Sequence, residues 1–137
     1  FELSERFDNT QVPEFAGLVE RLRRSGFKLA IDDFGVGHGE MKLLCDYPVD
    51  YVKIDRHFIA GLDSNPRKRH LVKNIVNFCH VLGVRVIAEG VETEEQLAFL
   101  KVHRCEEGQG YYFSKPLPPD AFAQVLSAGI PHEKPEK

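Results

Sequence analysis

The sequence predicts an α/β fold: a mostly parallel sheet whose strands are joined by helical crossovers. Three observations carry that reading. Apolar runs of strand length alternate with stretches of helical periodicity. The strand candidates recur about every 25 to 30 residues, the spacing of β/α units. Polar residues gather where the strands end, the side on which β/α folds place their ligands. A β/α barrel and a doubly wound open sheet share this pattern, and it does not choose between them.

Phe1 and Leu3 mark a short strand end. Thr10 and Pro13 open a helix whose apolar face is Val12, Phe15, Leu18, Val19 and Leu22, with Glu20, Arg21, Arg23 and Arg24 on the wet side. Gly26 stops it. A strand over 27–31 follows, closed by Asp32. Gly35, Gly37 and Gly39 make the next stretch a flexible loop. Met41, Leu43 and Leu44 suggest a short helix, and Pro48 ends it before a strand over 49–54. Phe58, Ile59 and Leu62 suggest a helical turn, broken by Asn65 and Pro66. Leu71, Val72, Ile75, Val76, Cys79 and Leu82 make a helix over 67–82, capped by Gly83 ahead of a strand over 84–88. Thr93 caps the next helix with Gln96 in the capping-box position, burying Leu97 and Leu100. A short extended piece covers 108–113. Pro118 and Pro119 introduce a last helix carrying Phe122, Val125 and Leu126. Residues 1–130 read as one barrel-type unit and 131–137 as a flexible polar tail.

Composition bounds the function. The chain has 137 residues, 42% hydrophobic and 28% charged, as expected of a small globular domain. Eighteen basic against 21 acidic residues, a net charge of -3, argue against broad nucleic-acid binding. Cys45, Cys79 and Cys105 lack any paired metal-ligand spacing and suit a reduced compartment; Cys79 reads as a buried free thiol. Neither a membrane span nor a secretory signal is visible, so a cytoplasmic location is expected, including as the cytoplasmic part of a membrane-associated signalling protein. The start at Phe1, without methionine, reads as a cut from something longer.

The chemistry lies at the strand ends. In Ala30-Ile31-Asp32-Asp33-Phe34-Gly35, two adjacent carboxylates finish an apolar run. Four further strand ends carry polar groups: Glu2 with Glu5, Lys53 with Asp55, Glu89 with Glu92, and Gln109. On parallel strands these ends converge on one face. Carboxylates gathered there repel one another unless a cation is present. Hard divalent ions such as Mg²⁺ or Mn²⁺ take oxygen ligands, and two of them can clamp a phosphate and ionise a water. Lys53 is the one cation of the set, suited to a phosphate oxygen or the attacking water.

Other features read as structural. Glu94 and Glu95 sit in a first helical turn, where acids suit the helix dipole, and Asp50 reads as a turn residue. The histidines form no metal motif; His38 alone lies beside the proposed site, and reads as solvated. Arg67-Lys68-Arg69-His70 reads as a solvated helix start. The loop Gly35-Val36-Gly37-His38-Gly39 lacks dinucleotide-fingerprint spacing. Tyr111 and Tyr112 either pack in a core or stack on a base.

Five segments in order resemble the C-terminal half of an EAL domain, the cyclic-di-GMP phosphodiesterase module of bacterial signalling proteins. They are Glu2-Leu3-Ser4-Glu5, Asp32-Asp33-Phe34-Gly35-Val36-Gly37, Lys53-Ile54-Asp55-Arg56-His57-Phe58, Ala88-Glu89-Gly90-Val91-Glu92-Thr93 and Gln109-Gly110-Tyr111-Tyr112-Phe113-Ser114-Lys115-Pro116-Leu117. The resemblance implies a partial TIM-like (β/α) barrel that hydrolyses cyclic di-GMP to linear pGpG with two Mg²⁺ or Mn²⁺ ions. It implies Glu2, Asp32, Asp33 and Glu89 as metal ligands, Lys53 and Glu92 as catalytic residues, Asp55 and Gln109 as substrate contacts, and Glu5 as the acid anchoring the loop after Asp33. Two departures stand out. The loop continues as Val36-Gly37-His38-Gly39-Glu40-Met41, where relatives carry a threonine, an aromatic and small hydroxyl residues. The family's Glu-Ala-Leu segment and a metal-binding asparagine lie upstream of everything present here. The chain alone is therefore expected to hydrolyse little. It is expected to pair as a homodimer or with the missing N-terminal half, in a parent that can carry a sensory or GGDEF-type domain, and to bind no nucleic-acid polymer. Two other readings stay open: a non-catalytic cyclic-di-GMP sensor, and a protein-interaction module that has kept the fold.

Overall fold

The computed structural model describes residues 1–3, 13–36 and 40–128. Five strands, β1 (Glu2–Leu3), β2 (Ala30–Phe34), β3 (Tyr51–Ile54), β4 (Arg85–Glu89) and β5 (Glu107–Gln109), form one sheet in the order β1-β2-β3-β4-β5. Every neighbouring pair is parallel. Six helices lie between or after them: α1 (Pro13–Arg24), α2 (Glu40–Asp46), α3 (Arg56–Ile59), α4 (Pro66–Val81), α5 (Glu94–Val102) and α6 (Pro119–Ala128). A doubly wound sheet reverses its strand order at a switch point. This one runs in strict sequence order, so it is the partial (β/α) barrel. Glu5, the loop residues Gly37, His38 and Gly39, Val12 of the first helical face and the 131–137 tail lie outside the described residues.

The central strands β2, β3 and β4 are largely buried and carry Val and Ile, as parallel strands covered by helices do, whereas the short β5 is exposed. Ile31, Val52, Ile54, Val86 and Ala88 join Leu43, Ile59, Leu62, Val72, Val76 and Cys79 in the main core. A second cluster of Leu3, Phe15, Val19 and Leu29 lies under α1. Leu18 is exposed, because the contact stripe of α1 runs through Phe15, Val19 and Leu22 and leaves Leu18 on its flank. Leu71 on α4 and Leu82 at its C-terminal cap are likewise exposed. Leu100 is buried and Leu97 packs partly against the core, as the pattern of α5 requires.

Several element ends depart from the sequence reading for local reasons. The strand after α1 starts at Ala30, three residues later than expected. Gly26 and Phe27 are used to end α1: Gly26 N–H donates to Arg23 O at 2.9 Å and Phe27 N–H to Leu22 O at 3.1 Å, with Gly26 at φ +84. That pair of bonds is the Schellman stop. Asn65 and Pro66 do not merely break a turn; they start α4. The Asn65 side chain accepts the N–H groups of Arg67 and Lys68 at 3.0 and 3.2 Å, and Pro66 takes the first turn, where its missing donor costs nothing. The extended piece after α5 closes at Gln109, since the chain turns at Gly110. The capping box of α5 forms as expected: Gln96 N–H donates to Thr93 Oγ1 at 3.1 Å, and Gln96 Oε1 accepts from Thr93 N–H at 3.2 Å and Glu92 N–H at 2.8 Å. Cys79 is fully buried, and burial pushes its thiol up to about 12, so it stays protonated and inert.

Asp50 is more than a turn residue. Its carboxylate accepts Leu29 N–H at 3.0 Å and the Lys28 ammonium at 2.9 Å, tying the start of β3 to the approach of β2. Burial works against its charge. The Lys28 and Leu29 hydrogen bonds and the nearby Lys28 and Arg23 charges outweigh burial and hold the carboxyl below the usual carboxylate range. A carboxyl depressed by folding stabilises the fold above its unfolded value, and that contribution disappears as pH falls through the folded one. Asp50→Asn is therefore expected to lower stability at neutral pH, with the gap from wild type closing below about pH 3. Urea titrations across the acid range read this directly.

Candidate metal centre

In a regular strand Asp32 and Asp33 would point to opposite faces of the sheet. They do not here, because β2 is bulged. Ile31 pairs with Val52 and Phe34 with Ile54, so two residues of β2 oppose the single residue Lys53. Asp33 takes φ +54, a left-handed conformation that aspartate tolerates better than most residues. The result brings both side chains to one end of the sheet. Gly35 follows at φ +101 with Phe58 packed against it, where a Cβ would lie 2.6 Å from the ring, so no side chain fits.

Carboxylate oxygens of Asp32, Asp33 and Glu89 lie within 4.8 Å of one another. Lys53 reaches into the group from β3. Its ammonium meets Glu2 Oε1 at 2.8 Å, Asp32 Oδ1 at 2.8 Å and Glu89 Oε1 at 2.7 Å. The Lys53 side chain is only 10% exposed. Burial disfavours its charge, but the hydrogen bonds to Asp32, Glu2 and Glu89 prevail and hold its proton more tightly than in free lysine. Four carboxylates against one ammonium leave surplus negative charge in a partly dehydrated place. All the donors are hard oxygens. That chemistry fits Mg²⁺ or Mn²⁺, with Asp32, Asp33 and Glu89 as the ligand cluster and Glu2 beside them through the shared lysine.

The remaining predicted residues divide. Gln109 joins the cluster: its Nε2 donates to Glu89 Oε1 at 2.8 Å. Asp55 has structural work. Its carboxylate caps α3 by accepting His57 N–H at 2.8 Å, and the same oxygen lies 2.6 Å from His57 Nδ1. Burial opposes that charge, while the His57 contacts and Arg56 hold the carboxyl below the usual range. Glu92 is exposed and lines a cavity of about 780 Å³ together with Gln109, Arg56, Tyr111, Lys115 and Phe122. This cavity separates the tyrosine pair: Tyr111 faces it, while Tyr112 packs edge-on to Phe113 against the core. Arg56 and Lys115 escaped the sequence reading. Both stand in the quoted motif segments without a role there, and their sharing one cavity with Glu92 is a relation between loops that only folding displays.

A bulged acidic pair, a buried lysine and a glutamate at consecutive ends of parallel strands define a β/α protein with a candidate divalent-metal site. Residues 1–116 match the EAL domain, and the chain belongs to that family. Among curated relatives, it is 44% identical over 111 residues to the cyclic di-GMP phosphodiesterase NbdA of Pseudomonas aeruginosa, an alignment covering 81% of this chain and 14% of NbdA. The EAL domain of Mycobacterium smegmatis DcpA superposes with a TM-score of 0.84 at 35% identity, covering 94% of this chain and 58% of that one. Klebsiella pneumoniae BlrP1, solved as a manganese and cyclic-di-GMP complex, superposes with a TM-score of 0.75 at 36% identity over 84% of this chain and 29% of its own. The chain thus spans only part of each of these relatives. No helix among the described residues is long and apolar enough to cross a membrane.

Proposed function

We propose that this chain is the C-terminal part of a metal-dependent phosphodiesterase that hydrolyses cyclic di-GMP to linear pGpG in bacterial second-messenger signalling. The observation that carries the reading is the Asp32, Asp33 and Glu89 cluster with Lys53 bonded into it. The relatives that bind or act on cyclic di-GMP by name, and the manganese complex of one of them, support it. Two Mg²⁺ or Mn²⁺ ions held by Asp32, Asp33, Glu89 and Glu2 would supply Lewis-acid polarisation of the phosphodiester and acidify water.

The chain's own side chains do the rest. Lys53 stays charged and lies among the carboxylates, so its ammonium is placed to hold a phosphate oxygen and offset charge that builds at phosphorus. The bulge fixes the acidic pair before substrate arrives, which removes the cost of ordering it during reaction. Glu92 stands on the wall of the adjoining cavity, which Arg56 and Lys115 also line, as the acid to handle a proton. Asp55 and Gln109 border the same end of the sheet as substrate contacts, and Glu5 serves as loop anchor. The partial coverage of every named relative supports a longer parent, with residues 1–130 forming part of an EAL barrel. That barrel is completed by an N-terminal half or by a second copy. A cytoplasmic location follows from the intracellular dinucleotide, and an upstream sensory or GGDEF-type domain suits a signalling parent.

The test is hydrolysis of cyclic di-GMP, read as pGpG, by this chain and by the parent carrying it. Turnover by the parent with Mg²⁺ or Mn²⁺, abolished by EDTA, is expected, with little by the chain alone. A folded parent that binds the dinucleotide but never cleaves it with either ion would overturn the enzyme reading.

A further inference from the structure

Glu89 is held from two sides by chemically different donors. Its Oε1 receives the Lys53 ammonium at 2.7 Å and the Gln109 amide at 2.8 Å, and no hydrogen bond from a described residue reaches its Oε2. One oxygen is therefore pinned and the other remains for a cation. From this geometry we infer that Gln109 is a positioning residue for the metal centre: its amide fixes the Glu89 carboxylate in the orientation that presents Oε2. The inference rests on the metal-centre reading above and deepens it.

The two donors are not equivalent. Lys53 brings a full positive charge into contact with three of the four candidate ligands, so it orients them and also competes with an incoming cation. Gln109 carries no charge. It orients Glu89 without repelling the ion, the usual task of an outer-shell partner.

The backbone of Gln109 is itself fixed. Glu89 and Gln109 are register partners across β4 and β5. Gln109 O accepts Val91 N–H at 3.0 Å, and Gly110 lies flat against the Val91 peptide. The amide therefore starts from a position set by main-chain bonds. Being on the exposed side of β5, the side chain contributes little to the core.

The experiment is titration calorimetry with MnCl₂ alone, without dinucleotide, on the parent carrying this chain as wild type, Gln109→Leu or Gln109→Asn. Leucine removes the donor, and asparagine is one methylene too short to reach. Both are expected to weaken Mn²⁺ binding by about 10–100-fold with unchanged stoichiometry. Melting in EDTA is expected to match wild type, which a merely structural residue would not allow. An unchanged Mn²⁺ dissociation constant in both variants overturns the positioning role while leaving the metal centre in place. Absence of Mn²⁺ binding by the wild-type parent overturns both.

Discussion

Asp33→Asn is expected to weaken Mn²⁺ binding and, in the proposed parent phosphodiesterase, hydrolysis by at least about 100-fold, while leaving melting in EDTA unchanged or raised. The substitution isolates charge from shape. Asparagine, like aspartate, tolerates the left-handed backbone at φ +54, so the β2 bulge is kept. What is lost is one of three carboxylates whose oxygens lie within 4.8 Å of one another. Without a cation those charges repel, so removing one relieves the metal-free state. With a cation, the loss falls on binding. Wild type should therefore gain stability on adding Mn²⁺, by about 2.7 kcal/mol at a hundredfold excess over its dissociation constant. Asp33→Asn should lose most of that gain. Asp33→Ala would confuse the two effects, because alanine adds about 1–2 kcal/mol of left-handed strain. Wild-type Mn²⁺ affinity in Asp33→Asn would remove Asp33 from the ligand set.

The acidic pair was readable in the sequence because charge at the end of an apolar run is hard to explain otherwise. So were α4, α5 and the capping box, since each rests on contacts within a few residues. The bulge was not readable. It depends on two residues of β2 facing one of β3, a pairing between segments about twenty positions apart. The same holds for Asp55. Its place after Lys53-Ile54 suggests a ligand contact, but its carboxylate is also the cap of α3, and the sequence does not reveal which oxygen is already taken. The start of β2 was misplaced because Phe27 looks like a strand residue. The stop signal of α1 requires Phe27 N–H for Leu22 O, and that local bond outweighs its β propensity. Periodicity alone does not choose between barrel and doubly wound sheet, because both use the same β/α units; the five motif segments point to the barrel, and the strand order agrees with them.

Gly110→Ala is expected to cost about 3 kcal/mol or more, lowering the melting temperature by on the order of 10 °C. Two independent penalties coincide there. Gly110 has φ +154, outside the range comfortable for an L side chain. A Cβ would also lie 2.2 Å from Val91 O and 2.3 Å from Val91 N, and both are main-chain atoms that cannot swing away. Relief requires parting the loops after β4 and β5, which breaks Val91 N–H to Gln109 O and Tyr112 N–H to Val91 O. Gly83→Ala is the control. Its φ of +72 is also left-handed, but nothing lies within 4 Å of the added Cβ, so only the conformational cost of about 1 kcal/mol applies. Urea unfolding of the two variants separates contact from conformation. Because the Gly110 contact also seats Gln109 beside Glu89, the surviving folded fraction of Gly110→Ala should bind Mn²⁺ more weakly than Gly83→Ala. If both variants lose the same stability and keep the same Mn²⁺ affinity, the Val91 contact does not hold the two loops together.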